Sequence, residues 1–264
     1  MEARLPKDKQ DRALKAVLSA LNAGLISLKN LESLVGFLSF CSRVVPLGRP
    51  FLRNLINLLQ ALKARSAPPH ASQRLSPGTL TDLRWWATLL QNWSGVHLIK
   101  PLRIHHIIYT DASGLKGIGG WFGELAFATA LPRRHHKKHI NWKEAYAVLY
   151  ALAKWSPILR GARVQFMCDN EAIVDALSHT TIRGEAITIL QLICLTAALE
   201  DIELSACWLS SKENWIADAL SRFKLADIAN LGLQVSTQEL HDPVQLLRQR
   251  LTSFFSTALP DLPD

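Results

Sequence analysis

Ile107-Ile108-Tyr109-Thr110-Asp111-Ala112-Ser113-Gly114 is an apolar run that ends on a carboxylate, two small residues and a glycine. β-Branched and aromatic residues favour an extended chain, and Asp, Ser and Gly favour a turn. Leu102 to Thr110 therefore reads as a strand and Asp111 to Gly114 as a turn. Downstream, Gly117 to Phe122 and Glu124 to Leu131 read as two short strands joined near Gly123. Asn141 to Trp155 reads as a helix ended by Pro157, and Val164 to Cys168 as a buried strand. Residues 170–178 and about 184–199 read as helices, Glu203 to Leu209 as a strand and Glu213 to Ser221 as a helix. The order β-β-β-α-β-α-α-β-α predicts a mixed α/β sheet with helices packed on it.

Upstream the periodicity is helical. Leu14, Val17, Leu18 and Leu21 share one face, and Gly24 is a stop signal. Ser27 is placed to cap a second helix with Leu31, Leu34, Val35 and Leu38 as its stripe. A third helix carries Phe51, Leu52, Leu55, Leu58, Leu59 and Leu62. Residues 65–77 read as a linker, after which Ser76-Pro77 opens a helix bearing Leu80, Leu83, Trp86 or Ala87, and Leu90. Trp85, Trp86 and Trp93 read as packing residues, with base stacking as the alternative. The expected division is a helical segment over 1–100, an α/β domain over 101–224 and a partly helical extension over 225–264, with Leu240, Val244, Leu247, Leu251 and Phe254 at helical spacing.

The chain has 264 residues, 48% of them hydrophobic, enough for one sizeable core or two modest ones. No apolar run approaches the roughly 18 residues that a membrane helix needs, so no membrane partner is expected. Residues Met1 to Asp11 are charged and lack an apolar leader core. Cys41, Cys168, Cys194 and Cys207 show no CxxC spacing, so free thiols and an intracellular, reducing location are expected, with nucleus and cytoplasm both open. The net charge of +8 is uneven: residues 1–100 carry +9 and residues 101–264 carry −1. A basic segment followed by an acidic constellation suits a polyanionic substrate, with a basic solvated face as the alternative.

That constellation consists of Asp111, Glu144 in Asn141-Trp142-Lys143-Glu144, Asp169 in Cys168-Asp169-Asn170, and Asp218 in Asn214-Trp215-Ile216-Ala217-Asp218-Ala219-Leu220-Ser221-Arg222. Carboxylates so placed can converge on divalent cations, and crowded carboxylates repel unless cations neutralise them. Oxygen ligands favour Mg²⁺ or Mn²⁺ over zinc.

The four motifs, in this order and at spacings of 33, 25 and 49 residues, resemble those of ribonuclease H over about residues 103–223. The last motif is especially similar to that of long-terminal-repeat and DIRS-type retrotransposon polyproteins. The N-terminal Leu31-Glu32-Ser33-Leu34-Val35-Gly36-Phe37-Leu38-Ser39-Phe40 and Gly48-Arg49-Pro50-Phe51-Leu52-Arg53 resemble the thumb and connection region that follows a reverse transcriptase palm. No Asp-Asp pair occurs, so the polymerase Tyr-x-Asp-Asp motif is absent and the chain reads as a fragment of such a polyprotein.

The resemblance implies a ribonuclease H-like mixed sheet flanked by helices, preceded by an all-helical segment. It implies two-metal-ion hydrolysis of the RNA strand of RNA–DNA hybrids, with two Mg²⁺ ions, or Mn²⁺ as substitute, on Asp111, Glu144, Asp169 and Asp218. Asn141 and Asn170 match positions that touch the minor groove, where the 2′-OH marks RNA, or else cap helices. Ser113 is a further candidate contact, and Arg133-Arg134-His135-His136-Lys137-Lys138 either binds DNA phosphates through Arg133, Arg134, Lys137 and Lys138 or forms a solvated loop. Implied partners are the hybrid and the missing polymerase and integrase or recombinase parts of the polyprotein. The pattern departs at Trp208-Leu209-Ser210-Ser211-Lys212-Glu213-Asn214: Trp208 stands where His-x-Pro-Gly-Lys-x-Asn begins with histidine, Ser210 at the proline and Ser211 at the glycine. The alternative is a catalytically silent nucleic-acid-binding remnant.

The charge asymmetry has a direct consequence. Deleting residues 1–100 is expected to weaken hybrid binding and flatten the dependence of log K on log[salt], measured by fluorescence anisotropy. An unchanged slope would remove the N-terminal segment from binding.

Overall fold

The computed structural model describes residues 2–45, 47–92, 94–98, 104–237 and 243. They form two compact units, one up to residue 98 and the other from residue 104.

The first unit runs β1 (Glu2–Arg4), α1 (Lys7–Ala23), β2 (Leu25–Ser27), α2 (Leu28–Cys41), α3 (Arg53–Ala64), β3 (Ser72–Arg74), α4 (Pro77–Asn92) and β4 (Val96–Leu98). The boundary chemistry is as expected. Gly24 ends α1 in the left-handed region at φ 63°, and its N–H donates to Ala20 and Leu21. Ser27 Oγ accepts from Asn30 N, and Ser76 Oγ from Thr79 N, one turn into α2 and α4. The α1 face is rotated from expectation. Gln10, Ala13, Val17, Ala20 and Leu21 are buried, while Leu14 and Leu18 are half-buried; α1 packs on α4, and Gln10 Nε2 donates to Leu90 O across that contact.

The linker around 65–77 contains β3, which pairs antiparallel with β2, and β1 pairs antiparallel with β4. The segment is thus helical with two small ribbons rather than wholly helical. Three-residue strands are too short for an alternating pattern to declare them. Trp85 stacks on Phe51 with centroids 4.1 Å apart, and fully buried Trp86 donates its indole N–H to Phe51 O. Both tryptophans are packing residues, and Trp93 lies outside the described residues.

The second unit runs β5 (His106–Ala112), β6 (Gly117–Phe122), β7 (Leu125–Ala130), α5 (Ile140–Leu159), β8 (Arg163–Cys168), α6 (Glu171–His179), α7 (Ile187–Leu199), β9 (Glu203–Trp208), α8 (Trp215–Ser221) and β10 (Gln234–Ser236). The sheet order is β10-β7-β6-β5-β8-β9. Strands β5, β6 and β7 are antiparallel, β8 and β9 continue parallel to β5, and β10 is parallel to β7. This is the mixed sheet flanked by helices that the element order predicts.

Alternation along β7 shows both faces covered. Ala126 and Ala128 pack with Ala219, Leu220 and Ile228 on the α8 side, while Phe127 meets Tyr150 and Trp155 of α5. The apolar α7 is buried along most of its length and packs on α5. No single helix among the described residues is long and apolar enough to cross a membrane.

Two boundaries differ from the sequence reading. Asp111 and Ala112 belong to β5 rather than to the turn, and α5 continues past Pro157 to a buried Leu159. Proline so near a C-terminus forgoes one hydrogen bond without breaking the preceding turns. Residues 225–237, expected outside the domain, supply the edge strand β10. The helix expected over 240–254 lies outside the described residues. All four cysteines are free, and only Cys207 is exposed.

Helix α8 lies directly on β6 because Gly119 lacks a side chain. A Cβ there would meet Ser221 N, Leu220 Cβ at 2.6 Å and Ala217 O at 2.7 Å. Gly36, exposed within α2, has nothing within 4 Å of such a Cβ. Gly119→Ala is expected to destabilise by about 1–3 kcal/mol through overpacking. Gly36→Ala is expected to stabilise by about 0.5–1 kcal/mol. Denaturant melts of both variants test the contrast, and equal effects would refute the packing argument.

Candidate active site

Parallel pairing of β5 with β8 aligns the carboxyl ends of two neighbouring strands. Asp111 stands near the end of β5, and Asp169 follows Cys168, the last residue of β8. Glu144 lies in the second turn of α5, whose first turn is capped by His139 Nδ1 accepting from Asn141 N. Each of Asp111, Glu144 and Asp169 offers a carboxylate oxygen, and these three atoms lie within 4.8 Å of one another. Asp111 is 6% exposed and Glu144 5%.

Asp218, on α8, stands beside this group rather than in it. Its charge helps to raise the pKa of Asp111, but its Oδ1 accepts from Arg222 Nε at 2.6 Å. The structure therefore gathers three of the four expected carboxylates and sets the fourth against an arginine that the sequence reading had not singled out. Its signal was present: positions 218 and 222 are four apart on one helix face.

Donors from residues 211–222 reach three of the carboxylates. Ser221 Oγ donates to Asp111 Oδ2, and Ser211 Oγ donates to Asp169 Oδ2 at 2.6 Å. Trp208, half exposed, donates its indole N–H to the backbone oxygen of Asp169 at 3.1 Å. Trp208 and Ser211 thus tie their loop to Asp169. Asn214 donates to Thr110 O and anchors the start of α8 to β5.

Glu144 accepts a backbone hydrogen bond from Ala112, yet its Oε2 is buried with no partner among the described residues. An orphaned buried carboxylate oxygen beside two further carboxylates fits a hard divalent cation, which takes oxygen ligands and cancels their repulsion. Burial, then the charges of Asp111 and Asp169, push the Glu144 pKa well above the usual carboxylate range. Burial pushes Asp111 to about 6, aided by Asp169 and Asp218 and opposed by the Ser221 hydrogen bond and Arg222. Burial, and then the charge of Glu144, also raises the Cys168 thiol to about 12.

The remaining candidates fall in different settings. Asn170 Oδ1 caps α6 by accepting from Ala172 N and Ile173 N, while its amide donates to Asn141 Oδ1 at 3.1 Å. The two asparagines form a linked pair next to Asp169. Ser113 is buried, and its hydroxyl accepts from Lys116 N inside the β5–β6 turn.

The basic run is partly structural. His135 is buried against Trp142 and Tyr146, and Lys138 binds Glu185 at 2.6 Å. Arg133, Arg134 and Lys137 are exposed, and Arg134 Nε donates to His135 Nε2. Buried Lys143, next to Glu144, donates to Gly114 O and His136 O and so ties the β5–β6 turn to this run.

No protein-family model matches the chain, and no curated protein matches it. Among solved structures it is similar to RNase H1 from the halophilic archaeon Halobacterium salinarum NRC-1, at 16% identity and TM-score 0.38 over 46% of this chain and 98% of that one. It is also similar to the N-terminal RNase H domain of a Mycobacterium tuberculosis protein, solved as a fusion with maltose-binding protein, at 15% identity and TM-score 0.36 over 44% and 94%. The Prototype Foamy Virus protease–reverse transcriptase aligns at 18% identity and TM-score 0.29, over 69% of this chain but 24% of that one.

The raised pKa values predict a pH signature. A carboxyl whose folded pKa is raised contributes stability below its unfolded pKa and loses it as pH rises through the folded value. For Asp111 that window runs from 3.8 to about 6. Metal-free Asp111→Asn is therefore expected to gain melting temperature over wild type at pH 8 and little or nothing near pH 4. A gain independent of pH would contradict the burial of an ionised Asp111.

Proposed function

We propose that the chain hydrolyses the RNA strand of RNA–DNA hybrids by two-metal-ion catalysis, as the ribonuclease H part of a retroelement reverse transcriptase polyprotein. The observation that carries this reading is the group of three carboxylates within 4.8 Å, with Glu144 Oε2 buried and unpartnered. Asp111, Glu144 and Asp169 would hold one Mg²⁺ or Mn²⁺, and Asp218 would complete a second position with Asp111. When bound, the ions supply the charge that activates a water and stabilises the departing 3′ oxygen.

The other residues bind and orient. The Asn141–Asn170 pair presents amide groups to the minor groove, where a 2′-OH distinguishes RNA from DNA. Arg133, Arg134 and Lys137 offer exposed cations to the DNA-strand phosphates, while Lys138 is engaged with Glu185. Ser211 and Trp208 hold Asp169 in place from the β9 side, where a histidine is absent. The basic N-terminal unit, thumb- or connection-like, would bind the duplex; the polyprotein's missing polymerase and integrase or recombinase parts would be its partners.

A second reading, a silent remnant that binds hybrids without cutting, draws on Trp208 at the histidine position. Cleavage of a labelled hybrid separates the two. With Mg²⁺ or Mn²⁺ the RNA strand of the hybrid alone is expected to be cut, with RNA–RNA and DNA–DNA duplexes intact. Asp169→Asn is expected to lower the rate by more than about hundredfold, beyond the loss typical of outer-shell partners. Binding without cleavage under either metal would select the remnant, and normal activity in Asp169→Asn would refute the assigned site.

A further inference from the structure

The guanidinium of Arg222 lies at the edge of the acidic group, and reading that group as a metal centre leaves the arginine unexplained. Its Nε donates to Asp218 Oδ1 at 2.6 Å, and the two side chains are 47% and 35% exposed. The Asp218 hydrogen bond and charge, followed by the charges of Asp111 and Asp169, raise its pKa above the ordinary arginine value. The cation is thus felt by three of the four carboxylates while touching one. That one, Asp218, is the carboxylate outside the 4.8 Å group. Ser221, one residue earlier, donates to Asp111, so the end of α8 places consecutive donors on two different carboxylates.

We propose that Arg222 is a positioning residue that acts as a resident counter-cation: it holds Asp218 and opposes a second divalent ion there, leaving the Asp111–Glu144–Asp169 position open to the first. The inference rests on the metal-centre reading of the site. A guanidinium and a divalent ion compete for the same carboxylate group and repel one another. The pair is partly exposed, where such bridges contribute modestly, so the opposition amounts to a bias rather than a block. A planar fork of donors also matches phosphate. The backbone phosphates of a bound duplex therefore draw Arg222 away from Asp218, and the second ion binds after the substrate.

Electron paramagnetic resonance titration with Mn²⁺ of the full chain tests this without any turnover. Wild type is expected to bind one ion tightly and a second more weakly. Arg222→Gln is expected to tighten the second by roughly three- to tenfold, the scale of an exposed ion pair together with one removed like charge, and the first by less. Arg222→Lys, which keeps the charge but loses the fork, should fall between them. Asp218→Asn should remove the second ion in either background. With a hybrid carrying a 2′-O-methyl RNA strand, wild type should bind the second ion as Arg222→Gln does without it. An unchanged second affinity in Arg222→Gln, or an equal shift at both positions, would overturn the role of Arg222. Folded wild type that binds no Mn²⁺ would overturn the metal-centre reading itself.

Discussion

Three carboxylate oxygens held within 4.8 Å of one another, two of them on buried residues, set the constraint around which the second unit is arranged. Like charges at that separation in a poorly hydrated place are costly, and the protein meets the cost in three ways. Asp111 and Glu144 have raised pKa values, chiefly through burial. Ser221 and Ser211 supply hydroxyl donors, and Arg222 supplies a nearby positive charge. What none of them supplies is a partner for Glu144 Oε2. The missing counter-charge is the physical content of the proposal that the site holds divalent cations.

Meeting that constraint depends on backbone proximity. Asp111 and Asp169 are 58 positions apart in sequence, yet the parallel register of β5 and β8 sets Tyr109 beside Met167 and brings both strand ends to one edge. Helix α8 reaches the same edge because β6 presents Gly119 to it, and Asn214 fastens the helix start to Thr110 O. Helix α5 brings Glu144, while its neighbour Lys143 ties together the two surrounding loops. Rigid elements rather than loops thus carry Asp111, Glu144 and Asp218, which suits a site whose geometry must survive its own repulsion.

The loop from Trp208 to Asn214 illustrates how a departure from a pattern acquires a physical meaning. Tryptophan cannot accept or transfer a proton as histidine does, yet its indole N–H reaches Asp169 O, and Ser211 reaches the Asp169 carboxylate. The loop serves as a brace for Asp169. In the proposed function, positioning by this brace stands in place of a proton-transferring side chain.

Much was legible in the linear sequence. Apolar alternation and helical spacing, with Gly24, Ser27 and Ser76 at their boundaries, specified the elements, because these signals act through neighbours a few residues apart. The identities of Asp111, Glu144, Asp169 and Asp218 were also evident from their settings at strand ends and in helices. The short ribbons β1–β4 and β2–β3 and the edge strand β10 were not, since three-residue strands exist only through the partner that supplies their hydrogen bonds. Nor could the sequence decide that Lys138 is spent on Glu185, that His135 is buried, or that Asp218 stands outside the tight group. Those facts depend on distances between residues far apart in the chain or on the seating of one helix against the sheet, and only tertiary packing sets such distances. Sequence by itself therefore determined which carboxylates stand at the ends and turns of which elements, and tertiary structure decided which of them share one charge problem.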